Sequence, residues 1–260
     1  TVLIRDGRIH EVREGPVLAS SLAMAGYDVR DVSGQHVWPG LIDAGSTVGL
    51  GEISAVQQSM DVSEVGGNQT DLRASTAWHP SSSVIPVTRV NGITSSLVVP
   101  GGGGVRGQSA LFGLEGWTAA EALVADGVAM HLGAPRTSRD DAEELSFAHE
   151  RGIGCLAGGP DEDSHDHEDG HPAHAAGGAD VVLERRRERW QGFRDMVEAA
   201  RDYARATVEA SRRGVAAPSY DGRLEAFAPY ALGLRPLVFD AGRADQIADV
   251  LDVADELGLK

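Results

Sequence analysis

One buried-looking run restricts this chain more than any other. Asn91-Gly92 is followed by Ile93-Thr94-Ser95-Ser96-Leu97-Val98-Val99, then by Pro100 and four consecutive glycines, Gly101 to Gly104. The run is continuously β-prone rather than alternating, the pattern of a strand covered on both faces in a parallel sheet. Ahead of it, Val84, Ile85, Val87 and Val90 form a helical stripe that opens at Pro80-Ser81-Ser82-Ser83, and Pro86 lies near the first turn, where it is tolerated. Helix, glycine, buried strand and glycine-rich loop make the repeat of an α/β barrel.

The rhythm continues downstream. Thr118 opens a helix over 119–125, residues 127–132 read as a strand, 139–151 as a helix and 153–157 as a short strand. The spacing of Trp190, Phe193, Val197, Ala200, Ala204 and Val208 predicts a long helix over 184–213. A shorter helix at 224–232 is expected to break at Pro229, and a strand at 236–239 leads into a helix at 244–257. That is about four barrel-type strands where a complete barrel has eight. Upstream, Val2-Leu3-Ile4 and residues 9–12 flank Asp6-Gly7 as a hairpin. Residues 29–32 and 35–38 read as two further short strands, 15–26 is apolar without clear pattern, and 48–78 is a long irregular excursion of the kind usually functional or disordered.

Composition excludes several classes. A net charge of −16 over 260 residues argues against a nucleic-acid partner, which needs a basic surface. No apolar run is long enough to span a membrane. Cys155, flanked by Gly154 and Leu156, is the only cysteine, so no internal disulfide exists, and it reads as a small buried residue more readily than as a catalytic thiol. Lys260 is the only lysine, which removes Schiff-base, Walker A and carbamylated-lysine chemistry from the body of the chain. The chain begins at Thr1 within a strand pattern and without an initiator Met, so a truncated chain is expected, and both cytoplasm and periplasm stay open.

The run Trp38-Pro39-Gly40-Leu41-Ile42-Asp43-Ala44-Gly45-Ser46-Thr47 resembles the first barrel strand of the amidohydrolase superfamily. The Pro/Gly-rich loop ending Gly107-Gln108-Ser109, with Ile85-Pro86-Val87 and Asn91-Gly92-Ile93-Thr94, is similar to an imidazolonepropionase-like subgroup, a bacterial type of protein. The resemblance implies a partial TIM-type barrel over 40–260 preceded by β-sandwich strands in 1–39. It implies hydrolysis of a non-peptide C–N bond in a small amide, cyclic amides included, by a water activated on a divalent metal such as zinc. The two histidines of the family's His-x-His motif would fall on Gly45 and Thr47, so a metal-free homologue that binds a ligand or partner without turnover is the alternative. The expected partner is a small-molecule substrate, and a homo-oligomer stays open.

Candidate residues follow from the strand mouths. Arg106, Gln108 and Ser109 are expected to contact substrate, because four glycines allow close backbone approach. Asp240, at the position of a family histidine, is the one plausible metal ligand, with capping of the following helix as its other reading. Asp43 reads as an acceptor for loop amides or as a ligand. His165, His167, His171 and His174 lie in the acidic segment 161–178, expected to be a mobile loop with at most opportunistic metal binding. His79 and His131 read as satisfied structural histidines. Arg185, Arg186, Arg187 and Arg189, interleaved with Glu184 and Glu188, read as a solvated, salt-bridged helix start.

Overall fold

The structure, a computed structural model, describes residues 1–15, 17–53, 55–135 and 178–260. The chain divides into two compact units, Thr1–Pro39 and Gly40–Lys260. In the first, β1 (Val2–Arg5) and β2 (Arg8–Val12) pair antiparallel. The turn residues Asp6 and Gly7 both take positive φ, 52° and 70°, which is what a tight type I′ hairpin turn requires. α1 (Ala19–Met24) occupies the unpatterned stretch. The strands expected at 29–32 and 35–38 do not form. Val29, Val32, Val37 and Trp38 are all exposed there; no neighbouring strand takes up the backbone groups, so the local β-propensity is not realised.

Among the described residues the second unit carries two sheets. β3 (Leu41–Ser46) and β4 (Ile93–Val98) run parallel, as the buried-strand pattern predicts. β6 (Ala110–Gly113) then pairs antiparallel with β4, and β7 (Leu123–Ala125) with β6, giving the order β3-β4-β6-β7. The second sheet has the order β5-β8-β9, formed by β5 (Val105–Gln108), β8 (Met130–Gly133) and β9 (Leu237–Asp240). β8 and β9 are parallel and β5 is antiparallel to β8. Among the described residues the two sheets do not join into a closed barrel. The reason is local: the stretch after the glycine run is two short strands rather than a loop, and β6 takes the edge of β4 that a parallel neighbour would need.

Six helices of this unit are described: α2 (Ala74–Ala77), α3 (Val84–Val90), α4 (Ala119–Ala122), α5 (Gly178–Arg213), α6 (Gly222–Ala231) and α7 (Ala244–Leu257). α4 is shorter than its expected span. Thr118 and Glu121 close a capping box at its start, and Leu123 already belongs to β7. α6 starts at Asp221, whose side chain accepts from the Arg223 and Leu224 amides, and it runs through Pro229 rather than breaking there. The segments expected at 139–151 and 153–157, Cys155 and the four histidines from His165 to His174 lie outside the described residues.

Each sheet has its own apolar cluster. Leu50, Trp78, Ile85, Val98, Phe112 and Leu114 form one, with Trp78 stacked on Phe112 at 4.2 Å. Met130, Leu132, Val197, Phe227 and Tyr230 form the other, where α5 and α6 cover β8 and β9. Phe193 and Trp190, two of the residues whose spacing predicts α5, meet Phe239 edge-on at 5.5 and 5.7 Å. The basic start of α5 reaches across to α7. Arg186 contacts Asp249 at 2.5 Å and Asp252 at 2.6 Å, and Arg194 takes both oxygens of Glu256.

Candidate functional site

Alternation along β8 and β9 sorts their residues onto two faces. Met130, Leu132, Leu237 and Phe239 point into the apolar cluster under α5 and α6. His131, Gly133, Val238 and Asp240 share the opposite face, since His131 pairs with Val238 and Gly133 with Asp240 in parallel register. β5 adds Arg106 to this face by a bulge. Val105 faces Leu132 and Gly107 faces His131, so two steps on β5 oppose one on β8 and Arg106 is the extra residue. A bulge of this kind re-aims a side chain. Here it sends the guanidinium across Gly133, where a Cβ would lie 3.7 Å from Arg106 Nη2, to Asp240 Oδ2 at 2.8 Å.

Asp240 therefore has a role neither of its two expected readings describes. One of its oxygens is committed to Arg106. It does not cap α7, whose N-cap is Arg243 without a side-chain cap bond. Beside the pair stands His131, only 7% exposed, with Nε2 buried and without a hydrogen-bond partner. Burial and then the neighbouring Arg106 charge lower its pKa from 6.5 to about 4, so the imidazole is neutral near pH 7. Arg106 Nε is also buried without a partner. The expectation of a satisfied structural His131 is thus corrected at one atom: sequence gives its strand and its polar face, but not that its Nε2 is left without a partner.

Gln108 and Ser109 lie next to Arg106 in the chain and are turned into the fold. Gln108 donates to the Thr70 carbonyl at 3.0 Å and accepts from the Tyr230 hydroxyl at 3.3 Å. The Ser109 hydroxyl bonds both the carbonyl and the amide of Ala129. Both side chains are buried. The glycine run likewise serves the chain's own backbone: the Gly101 amide donates to the Val62 carbonyl at 2.6 Å and the Gly104 carbonyl accepts from the Gly133 amide at 2.8 Å. The Val105 amide donates to the Gly67 carbonyl at 3.0 Å and the Gln108 amide to the Leu72 carbonyl at 2.8 Å, which docks the irregular excursion along β5. Gly107, with φ +116°, has the Leu72 carbonyl oxygen 2.8 Å from where a Cβ would be.

At the end of β3, Asp43 Oδ1 accepts from the Gly45 amide at 3.2 Å and Oδ2 from the Ser96 hydroxyl at 3.0 Å, while the Ser46 and Ser96 hydroxyls meet at 2.9 Å. Burial by itself would raise the Asp43 pKa, but the hydrogen bonds from Ser46, Gly45 and Ser96 outweigh it and hold the carboxyl below its ordinary value. Asp43 is the acceptor of a loop, not a free ligand. A Cβ at Gly45 would make only ordinary contact with Val99, at 3.7 Å, so space is not what keeps a side chain out. Among the described residues, no group of three or more His, Cys, Asp or Glu side chains is placed to hold a metal ion. His79 Nδ1 meets the Ser81 hydroxyl at 3.0 Å. Among the described residues no helix is long and apolar enough to cross a membrane.

No protein-family model matches this chain, and no curated protein matches it. Among solved structures, the crystal structure of an amidohydrolase from Thermotoga maritima MSB8 is similar to it, with a TM-score of 0.65 and 19% sequence identity. The likeness covers 100% of this chain and 58% of that chain. This chain thus spans somewhat over half the length of its structural neighbour, and what the two share is the fold: a mixed α/β arrangement of several sheets found in an amidohydrolase.

Proposed function

We propose that this chain is part of an amidohydrolase-like hydrolase that acts on a non-peptide C–N bond of a small amide, cyclic amides included. The observation that carries the reading is the Arg106–Asp240 pair beside buried His131, whose Nε2 has no partner, on the face of β8 and β9 that points away from the helices. The fold likeness to the Thermotoga amidohydrolase and the imidazolonepropionase-like Gly107-Gln108-Ser109 pattern support it.

In this reading Arg106 contacts the substrate. Its remaining N–H groups donate to the amide carbonyl oxygen and stabilise the negative charge that builds there when water adds. Asp240 holds the guanidinium in place. Gln108 and Ser109, expected as direct contacts, keep β5 and its bulge in register through their buried hydrogen bonds. A divalent metal such as zinc, which the fold family implies for activating water, does not fit the described residues. Gly45 offers no donor, Asp240 is paired with Arg106, and no third ligand converges.

That misfit favours a second reading, a homologue that binds an amide-type ligand without turnover. The full-length protein assayed for amine or ammonia release from a panel of lactams and simple amides separates the two. Hydrolysis that falls about 100-fold in kcat/KM in Arg106→Ala supports the first. Binding with no release by the wild type supports the second.

A further inference from the structure

We infer that residues 63–73 form a detachable strap, seated as a parallel edge strand on β5, and that its lifting releases the bulge that aims Arg106 at Asp240. The strap is a gate on the ion pair, and it holds whether or not the chain hydrolyses an amide.

The seat lies on the edge of β5 that β8 leaves free. Asn68 bridges Val105 and Arg73 bridges Gln108, both in parallel. The Gln69 amide donates to the Val105 carbonyl at 3.1 Å and the Gln108 amide to the Leu72 carbonyl, so the strap grips β5 on both sides of Arg106. Gly104 and Gly107 make room for it, since a Cβ at either would run into a strap carbonyl, that of Gly67 or of Leu72. What the strap lacks is apolar anchorage. Val62 and Ala74 pack in the cluster of the first sheet, but among the described residues none from 63 to 73 belongs to either cluster. The two side chains it buries, Gln69 and Thr70, are polar. Thr70 Oγ1 donates to the Arg223 carbonyl at 3.0 Å, whereas Gln69 Oε1 is buried without a partner, a cost that water removes on lifting. The ion pairs Arg73–Asp126 at 3.5 Å and Arg223–Asp71 at 3.7 Å lie at the surface and contribute little. Gly66, at φ +127°, gives the backbone freedom to swing. A segment with fixed ends, polar ties and few apolar contacts opens well below the free energy of global unfolding.

The test uses the full-length protein with its native cysteines, Cys155 included, changed to serine. One form carries Gln69→Cys in the strap and another Val98→Cys in the first core. A thiol reagent reports each opening, and phenylglyoxal modification of Arg106, mapped by mass spectrometry, reports release of the guanidinium. The strap thiol is expected to react about 100-fold faster than the core thiol, at a rate that low urea leaves unchanged while the core thiol's rate climbs. Two variants loosen the strap without touching the ion pair. Gly104→Ala wedges a Cβ beneath it and should speed the strap thiol about tenfold. Thr70→Val removes the tie to Arg223 and should speed it about fivefold. Arg106 modification should rise in step in both. A strap thiol that reacts only with the core thiol's rate and urea slope overturns the lift. A strap thiol accelerated in either variant while the Arg106 rate stays unchanged overturns the gate, and either variant suffices if the other fails to fold.

Discussion

Two glycines in this chain face opposite demands. Gly107 sits at φ +116° with the Leu72 carbonyl oxygen against the position a Cβ would take, whereas Gly45 has ordinary space around it. Gly107→Ala should therefore lower stability by about 2 kcal/mol or more through backbone strain and the displaced excursion. Gly45→Ala should stay within about 0.5 kcal/mol. Urea unfolding of both variants reads the contrast, and equal effects would refute the account of Gly107. His131 gives a second prediction. Its folded pKa, about 4, lies below its ordinary 6.5, so between those values the unfolded chain binds more protons. The contribution is fully present above pH 6.5 and is lost as pH falls toward 4. Asp249 shifts the other way, since burial first and then partial compensation by Arg186 and Arg189 leave its carboxyl above 3.8. The difference between wild type and His131→Phe isolates the histidine, and it should grow with rising pH across that window and then level off.

At the scale of elements, α5 and α7 are joined by charge as well as by packing. Asp249 is buried, and its raised pKa says that losing water costs the carboxylate more than its arginines return. Asp249→Asn should then leave the melting temperature unchanged or raise it at pH 7. Arg186→Ala leaves that carboxylate with less compensation and should cost on the order of 3 kcal/mol. Calorimetry of the two variants decides, and a larger loss in Asp249→Asn would contradict the argument. The elements also differ in how far sequence reveals them. α5 is legible because Trp190, Phe193, Val197 and Ala200 recur at helical spacing and do face the core. β4 is legible from its unbroken β-prone run. β5 and β6 are not, because Gly107, Gln108 and Ser109 look like a loop until residues 67–72 are laid beside them. The Arg106–Asp240 pair, 134 residues apart in the chain, has no sequence signal at all. Both partners were visible as candidates at separate strand ends, but their meeting depends on a bulge and on Gly133.

For the molecule as a whole, the described surface is apolar in places and strongly acidic in sum. Leu41 and Ile42 on edge strand β3, Val87 and Val90 on α3, and Ile247 and Leu251 on α7 are all exposed. Open strand edges and apolar helix faces invite association. The 260-residue chain by itself should self-associate, more so as salt screens its net charge of −16. Light scattering after size exclusion at low and high salt checks this, and a monodisperse monomer at both would count against it. The docked excursion has one more consequence. The amide protons of Val105 and Gln108 are held by Gly67 and Leu72, not by a strand partner, so they reach solvent only when that stretch lifts. Their hydrogen–deuterium exchange is a native clock for how often β5, and with it the bulge that aims Arg106, comes loose.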